Sequence, residues 1–234
     1  MTRTCLAGPG IALAAALLLS AHAARAEDRV VVADFSSAPA AAGAPPGWEL
    51  SEKSGKADLA VVHDGGVPAV RFRSASTSFS IQKEVKVDLG QFPMLTWKWK
   101  VITLPTGGDF RKAATDDQAA QLFVAFSKSK AIVYVWSSTV PKGLMQSTTP
   151  APFTTVKLVV MRSGLSEAAK WVRERRNVYQ DYKKFFGSEP PPVYAMRLQI
   201  NSQHTGTSAE SYFADLAFEK AGKPGAKGHV APPK

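Results

Sequence analysis

The chain has 234 residues and carries 29 basic against 19 acidic side chains, a formal charge of +10. Its single cysteine, Cys5, lies near the start, so the body of the chain has neither a disulfide framework nor a cysteine metal site available to it. Beyond the first thirty residues no segment approaches the roughly eighteen uninterrupted apolar residues of a membrane helix, and the length suits one domain that folds without staples.

The chain opens MTRTCLAGPGIALAAALLLSAHAARAED. Arg3 supplies a positive start, Ile11 to Leu19 an apolar run too short to span a bilayer, and Ala24-Arg25-Ala26 a cleavage site. This reads as a secretory signal peptide over 1–26, followed by one domain over 27–219 and a basic tail over 220–234. Removing Arg3 and Arg25 leaves 27 basic against 19 acidic residues, a net charge of +8. The expected location is the periplasm or the exterior. Positive charge there favours a glycan or another anionic envelope component as partner, and export argues against nucleic acid.

From Val30 onward the text is β-like. Val30, Val32 and Phe35 begin it, and Val70 and Phe72 alternate with Arg71 and Arg73. Phe79 and Ile81, then Val85, Val87 and Leu89, repeat the pattern. Leu95, Trp97, Trp99 and Val101 share one face, which predicts core for both tryptophans and a solvated face for Lys98 and Lys100. Leu122 to Phe126 and Ile132 to Trp136 are apolar enough for central strands, joined by a hairpin loop over Ser127 to Lys130. Val156 to Met161, Tyr194 to Ile200 and Tyr212 to Phe218 complete about ten strands, the rhythm of an antiparallel sandwich. The expected fold class is all-β, a jelly-roll-like β-sandwich with one short inserted helix. Lys220 to Lys234, rich in Lys, Gly, Pro and Ala, is expected to be disordered.

That helix is placed at 178–186. Val178, Tyr179, Tyr182, Phe185 and Phe186 fall on one side, with Gln180, Asp181, Lys183 and Lys184 facing away. Asn177 caps the first turn, Lys183 and Lys184 suit the negative end of the dipole, Gly187 ends the helix and Pro190 to Pro192 forbid continuation. Trp171, just upstream, is expected in the core.

Chemistry is harder to find. GxSxG, P-loop, dinucleotide and HExxH patterns are absent, and His63, His204 and His229 are scattered. No catalytic residue and no metal ligand is assigned. What remains is carboxylates, namely Asp116, Asp117, Glu174, Asp181, Glu189, Glu210 and Asp215, two of which would suffice for glycoside cleavage if the fold set them at the right distance. A calcium role for Asp109, Asp116 or Asp117 is chemically open because oxygen ligands suit that ion, and no other cofactor is expected. The basic run at Arg173, Arg175 and Arg176 is expected to bond Glu174 and Asp181 at a wet surface. The polar loop from Asn201 to Thr207 follows a strand, where sandwiches display binding groups. The candidate ligand-binding residues are Asp116, Asp117, Arg176, Asn177, Asp181, Asn201 and His204.

TWKWKV at 96–101, DDQAAQLFVAF at 116–126, IVYVW at 132–136, RNVYQDYKKFFGSEPP at 176–191 and TGTSAESYFADLAF at 205–218 occur in one order. That order resembles the secreted bacterial family called domain of unknown function 3047. The resemblance runs from about Val30 to Phe218 and implies fold and export, with no activity attached. Its members are richer in aspartate in the loop held here by Asn201 to Thr205, so a cation site there would lack its carboxylates in this chain. Three functions are compatible: a non-enzymatic glycan- or anionic-component-binding domain, which is favoured; a carboxylate-dependent glycan hydrolase or lyase; and a structural envelope protein without a small ligand.

Overall fold

The computed structural model describes residues 28–149 and 152–222. The signal peptide expected at 1–26 and most of the tail expected from 220 lie outside the described residues. Within them are thirteen strands: β1 (Arg29–Ala33), β2 (Glu49–Ser54), β3 (Asp58–Asp64), β4 (Val67–Ala75), β5 (Ser78–Val87), β6 (Met94–Thr103), β7 (Ala120–Ser127), β8 (Lys130–Ser137), β9 (Met145–Thr148), β10 (Thr155–Ser163), β11 (Val172–Asn177), β12 (Val193–Asn201) and β13 (Ser208–Glu219). One α-helix, α1 (Val178–Phe186), joins β11 to β12.

The strands form two sheets. One runs β11-β6-β13-β4-β3, with β1 paired to the far half of β13; the other runs β2-β5-β12-β7-β8-β10-β9. Every pairing is antiparallel except β8 with β10. The chain leaves β8, crosses over and returns through β9 on the outside of β10, which a direct hairpin would not allow.

Alternation explains the layering. On β6 the side chains of Leu95, Trp97, Trp99 and Val101 are wholly buried between the sheets, as expected. There the Trp97 ring lies 5.4 Å from both Trp99 and Tyr134, and Trp99 lies 5.8 Å from Trp136. These edge-on and offset contacts are the arrangements that aromatic quadrupoles favour.

Several sequence expectations change. Phe79–Ile81 and Val85–Val87 belong to one continuous strand, β5. β2, reading ELSEKS, and β11, reading VRERRN, carry no apolar alternation and were invisible as strands. Lys100 is buried rather than solvated. It pairs with Asp64 and lies 4.4 Å from the Tyr212 ring centre. Trp171 is not in the core; it packs on the outer face of the six-stranded sheet and donates its indole N–H to Asp64 at 2.8 Å.

The helix occupies 178–186, as its local signals specify. Asn177 Oδ1 accepts from the Gln180 N–H at 3.0 Å, and Gly187 takes a left-handed φ of 68°. Val178 and Tyr182 are buried, with the Tyr182 ring 4.5 Å from Phe126. Asp181 does not face away. It turns inward and is buried, accepting from the Tyr134 hydroxyl at 2.7 Å and pairing with Arg176. Burial and the neighbouring Asp181 carboxylate together push the Tyr134 hydroxyl well above its ordinary pKa.

Candidate functional site

The residues singled out from the sequence separate into two groups. Arg176, Asn177 and Asp181 sit at the start of α1. There Asn177 caps the helix and Asp181 is bonded to Arg176 and Tyr134, so their polar groups are committed to holding the helix on the sandwich. Glu174 is likewise held, by Arg162 at 2.6 Å and the Trp99 indole at 3.2 Å, rather than by its neighbouring arginines.

Asp116, Asp117, Asn201 and His204 are brought together at the opposite place, where the loop before β7 meets the loop after β12. Asp117 is fully buried and accepts from the Thr205 N–H at 2.6 Å and the Thr205 hydroxyl at 2.8 Å. Asn201 Oδ1 accepts from the Gln118 N–H at 3.0 Å and from Gln121 Nε2 at 2.7 Å, while its amide donates to the Asp116 carbonyl at 2.6 Å. His204 Nδ1 lies 3.1 Å from that same carbonyl. Gly108 permits the loop to close: a Cβ there would stand 2.5 Å from the Asp117 carbonyl oxygen.

Asp109, the third acid of that loop, is spanned by Arg111, with bonds of 2.8 and 2.7 Å to its two oxygens. Those bonds hold its carboxyl down at about 2. Among the described residues no three His, Asp or Glu side chains gather as metal ligands would.

The cluster at Asp116 forms one end of a groove of about 760 Å³ on the outer face of the seven-stranded sheet. Register builds its floor. Gln82 on β5, Arg197 on β12, Phe123 on β7, Val133 on β8 and Leu158 on β10 lie on one rung. The rung toward Asp116 carries Ser80, Gln199, Gln121 and Val135. The rung on the other side carries Glu84 and three alanines, Ala195, Ala125 and Ala131. Phe110 and Val140 join Phe123, Val133, Val135, Leu158 and Val160 in an apolar cluster on this same outer face.

Arg197 sits at the centre. Its guanidinium carbon stands 3.7 Å from the Phe123 ring centre, so the group lies over the aromatic face. It forms no ion pair among the described residues, and its Nε is buried without a hydrogen-bond partner. Burial alone pushes its pKa down, to about 10, which leaves it charged at neutral pH. The other charges lining the groove are Lys53, Lys128, Lys130 and a single carboxylate, Asp116. Of the seven acids named from the sequence, only Asp116 lines it.

The sequence marked the Asp116, Asn201 and His204 end of this groove but not its centre. Arg197 and Gln199 alternate with Met196, Leu198 and Ile200, which places them outward and says no more. The signal available is one arginine midway along a strand whose inward neighbours are all apolar.

The profile of the family described as "Protein of unknown function (DUF3047)" matches residues 46–217. The chain belongs to the DUF3047 family. The match spans the sandwich from β2 through most of β13 and includes every groove-lining residue named above. No protein of curated function matches this DUF3047 chain in sequence.

Among solved structures, it is similar to the xyloglucanase domain of NopAA, a type three effector from Sinorhizobium fredii. The identity is 9%, over 80% of this chain and 100% of that one, with a TM-score of 0.48. It is also similar to the family 11 carbohydrate-binding module of the cellulosomal cellulase Lic26A-Cel5E of Clostridium thermocellum, at 8% identity over 82% and 95% of the two chains, TM-score 0.44. Endoglucanase cel12A from Rhodothermus marinus is a third, at 8% identity over 78% and 99%, TM-score 0.45.

Proposed function

We propose that this DUF3047 protein binds a glycan chain laid along the groove on the outer face of its seven-stranded sheet. The observation that supports this most is the composition of the floor. Planar polar side chains, Gln82, Arg197, Gln199 and Gln121, stand on two adjacent rungs beside apolar Phe123, Val133 and Leu158, with Arg197 lying over Phe123. A sugar presents hydroxyls around its edge and C–H groups on its faces. A site for it needs convergent donors and acceptors over apolar surface, which is the general character of ligand sites. Phe123 itself is covered, so the flat surface offered to a sugar is the guanidinium lying on it.

Cleavage of a glycosidic bond by two acids needs a pair of carboxylates roughly 5 to 10 Å apart across the substrate. Asp116 is the lone carboxylate among the described lining residues, and its Oδ1 accepts from Gln118 Nε2 at 2.9 Å. That favours binding over hydrolysis. A groove of about 760 Å³ favours a ligand over a purely structural role. We further propose that the protein is exported, supported by the leader at 1–26; N-terminal sequencing of the protein from the periplasm or medium should find the chain beginning at Glu27.

Affinity electrophoresis against a panel of soluble polysaccharides tests the binding. Retardation by at least one of them is expected. The double variant Gln82→Ala/Gln199→Ala should weaken it by roughly tenfold, the scale of two lost hydrogen bonds, with the circular dichroism spectrum unchanged. Background mobility with every polysaccharide, at both low and physiological salt, would reject the reading.

A further inference from the structure

We infer that Arg197 is the subsite for an acidic sugar, so that the groove selects glycans whose units carry an oxyanion, a uronate carboxylate or a sulfate ester, over neutral ones. This rests on the glycan reading above and narrows its ligand class.

A guanidinium removed from water without a counter-charge is destabilising, and folded chains rarely keep one unless it is paired. The contrast with the other partly buried arginines of this chain is direct. Arg162 is held by Glu174 and Glu167, Arg176 by Asp181, and Arg71 lies 3.6 Å from Asp58. Arg197 alone among these has no carboxylate. Glu49, two strands away on the same rung, and Glu84, on the neighbouring rung, make no ion pair with it; Glu84 accepts instead from the Tyr194 hydroxyl at 3.2 Å. Phe123 fixes the plane of the guanidinium from below. Its terminal N–H groups are then confined to the plane above the floor, the arrangement that accepts two oxygens of one anion through parallel bonds. Lys53, Lys128 and Lys130 add positive potential around the same groove, against Asp116 alone. Arg71 also has a buried Nε without a hydrogen-bond partner, but it keeps the Asp58 carboxylate nearby. A partly buried charge with no counter-charge is what a binding site leaves for its ligand to complete.

Isothermal titration of the whole protein with three probes of matched length, a neutral β-glucan oligosaccharide, an oligogalacturonate and a sulfated glucan oligosaccharide, tests this. The acidic probes should bind at least tenfold tighter than the neutral one. Their lead should disappear in Arg197→Gln and shrink by about threefold or more in Arg197→Lys, which keeps the charge but loses the fork. Arg175→Gln, on the other sheet, removes the same net charge and should leave the lead intact. Whichever acidic probe depends more on Arg197 identifies the oxyanion. Unliganded Arg197→Gln should melt no lower than wild type, since it removes an unpaired cation; if it fails to fold, Arg197→Lys still decides the matter. Neutral and acidic probes binding equally, or an acidic preference that survives both substitutions at position 197, overturns the inference while leaving the glycan reading in place. No binding by any probe overturns the inference, and the glycan reading falls with it if the polysaccharide panel is also at background.

Discussion

Asp117 shows how much of the groove depends on single side chains that do not line it. Its carboxylate is fully buried and takes two bonds from Thr205, so it ties the loop before β7 to the loop after β12. Replacing it by alanine leaves the Thr205 N–H without its acceptor and sends the Thr205 hydroxyl back to Thr207 and the Ser202 carbonyl. Asp117→Ala should therefore lower the unfolding free energy by about 3 kcal/mol in urea titrations. An unchanged midpoint would show that the two loops hold together without it. The sequence marks Asp117 as a candidate binding residue, but not this pairing. Thr205 lies 88 residues away, and only the sandwich topology brings the two together. Arg197 was illegible for a related reason. Alternation shows that it points outward, whereas its significance is the absence of a counter-charge, which exists only in three dimensions.

Among the elements, α1 was the most legible and β11 the least. The helix is specified by neighbours within a few positions: Asn177 at its start, an aromatic face, Gly187 and three prolines at its end. These local terms can be tested singly. Asn177→Ala removes the acceptor of the Gln180 N–H and should cost about 1 kcal/mol in chemical denaturation. Gly187→Ala, at a φ of 68°, should cost about 1 kcal/mol as well. Near-zero effects from both would mean that the buried face, Val178, Asp181 and Tyr182, holds the helix without its end signals. β11 has no such marks. It reads VRERRN, and only its pairing with β6 makes it a strand, with Glu174 turned inward to Arg162 and Trp99. β2 was missed for the same reason, as an exposed edge strand pairs through its backbone and needs no apolar face.

At the scale of the whole molecule, the two sheets divide the work. Aromatic packing between them supplies the core, and the outer face of the larger sheet is left to carry the groove. A ligand that engages only this assembled surface must stabilise the native state by mass action. A sugar present at 100 times its Kd should add about 2.7 kcal/mol to the unfolding free energy, visible as a rise in melting temperature. A ligand that binds by titration yet leaves the melting temperature unmoved would have to bind the unfolded chain equally well.

The position of β13 has a temporal consequence. It is the last strand of the described chain, yet β1, β4 and β6 all pair with it. Until Ser208 to Glu219 has left the ribosome, the six-stranded sheet lacks its central strand, and the β11-β6 and β3-β4 pairs have nothing to join them. Completion of this sheet, and of the core between the two sheets, must therefore wait for the end of the domain's synthesis, at the slow pace of non-local β pairing. For a chain proposed to cross a membrane before it works, such a delay leaves the sandwich open until its final strand has passed.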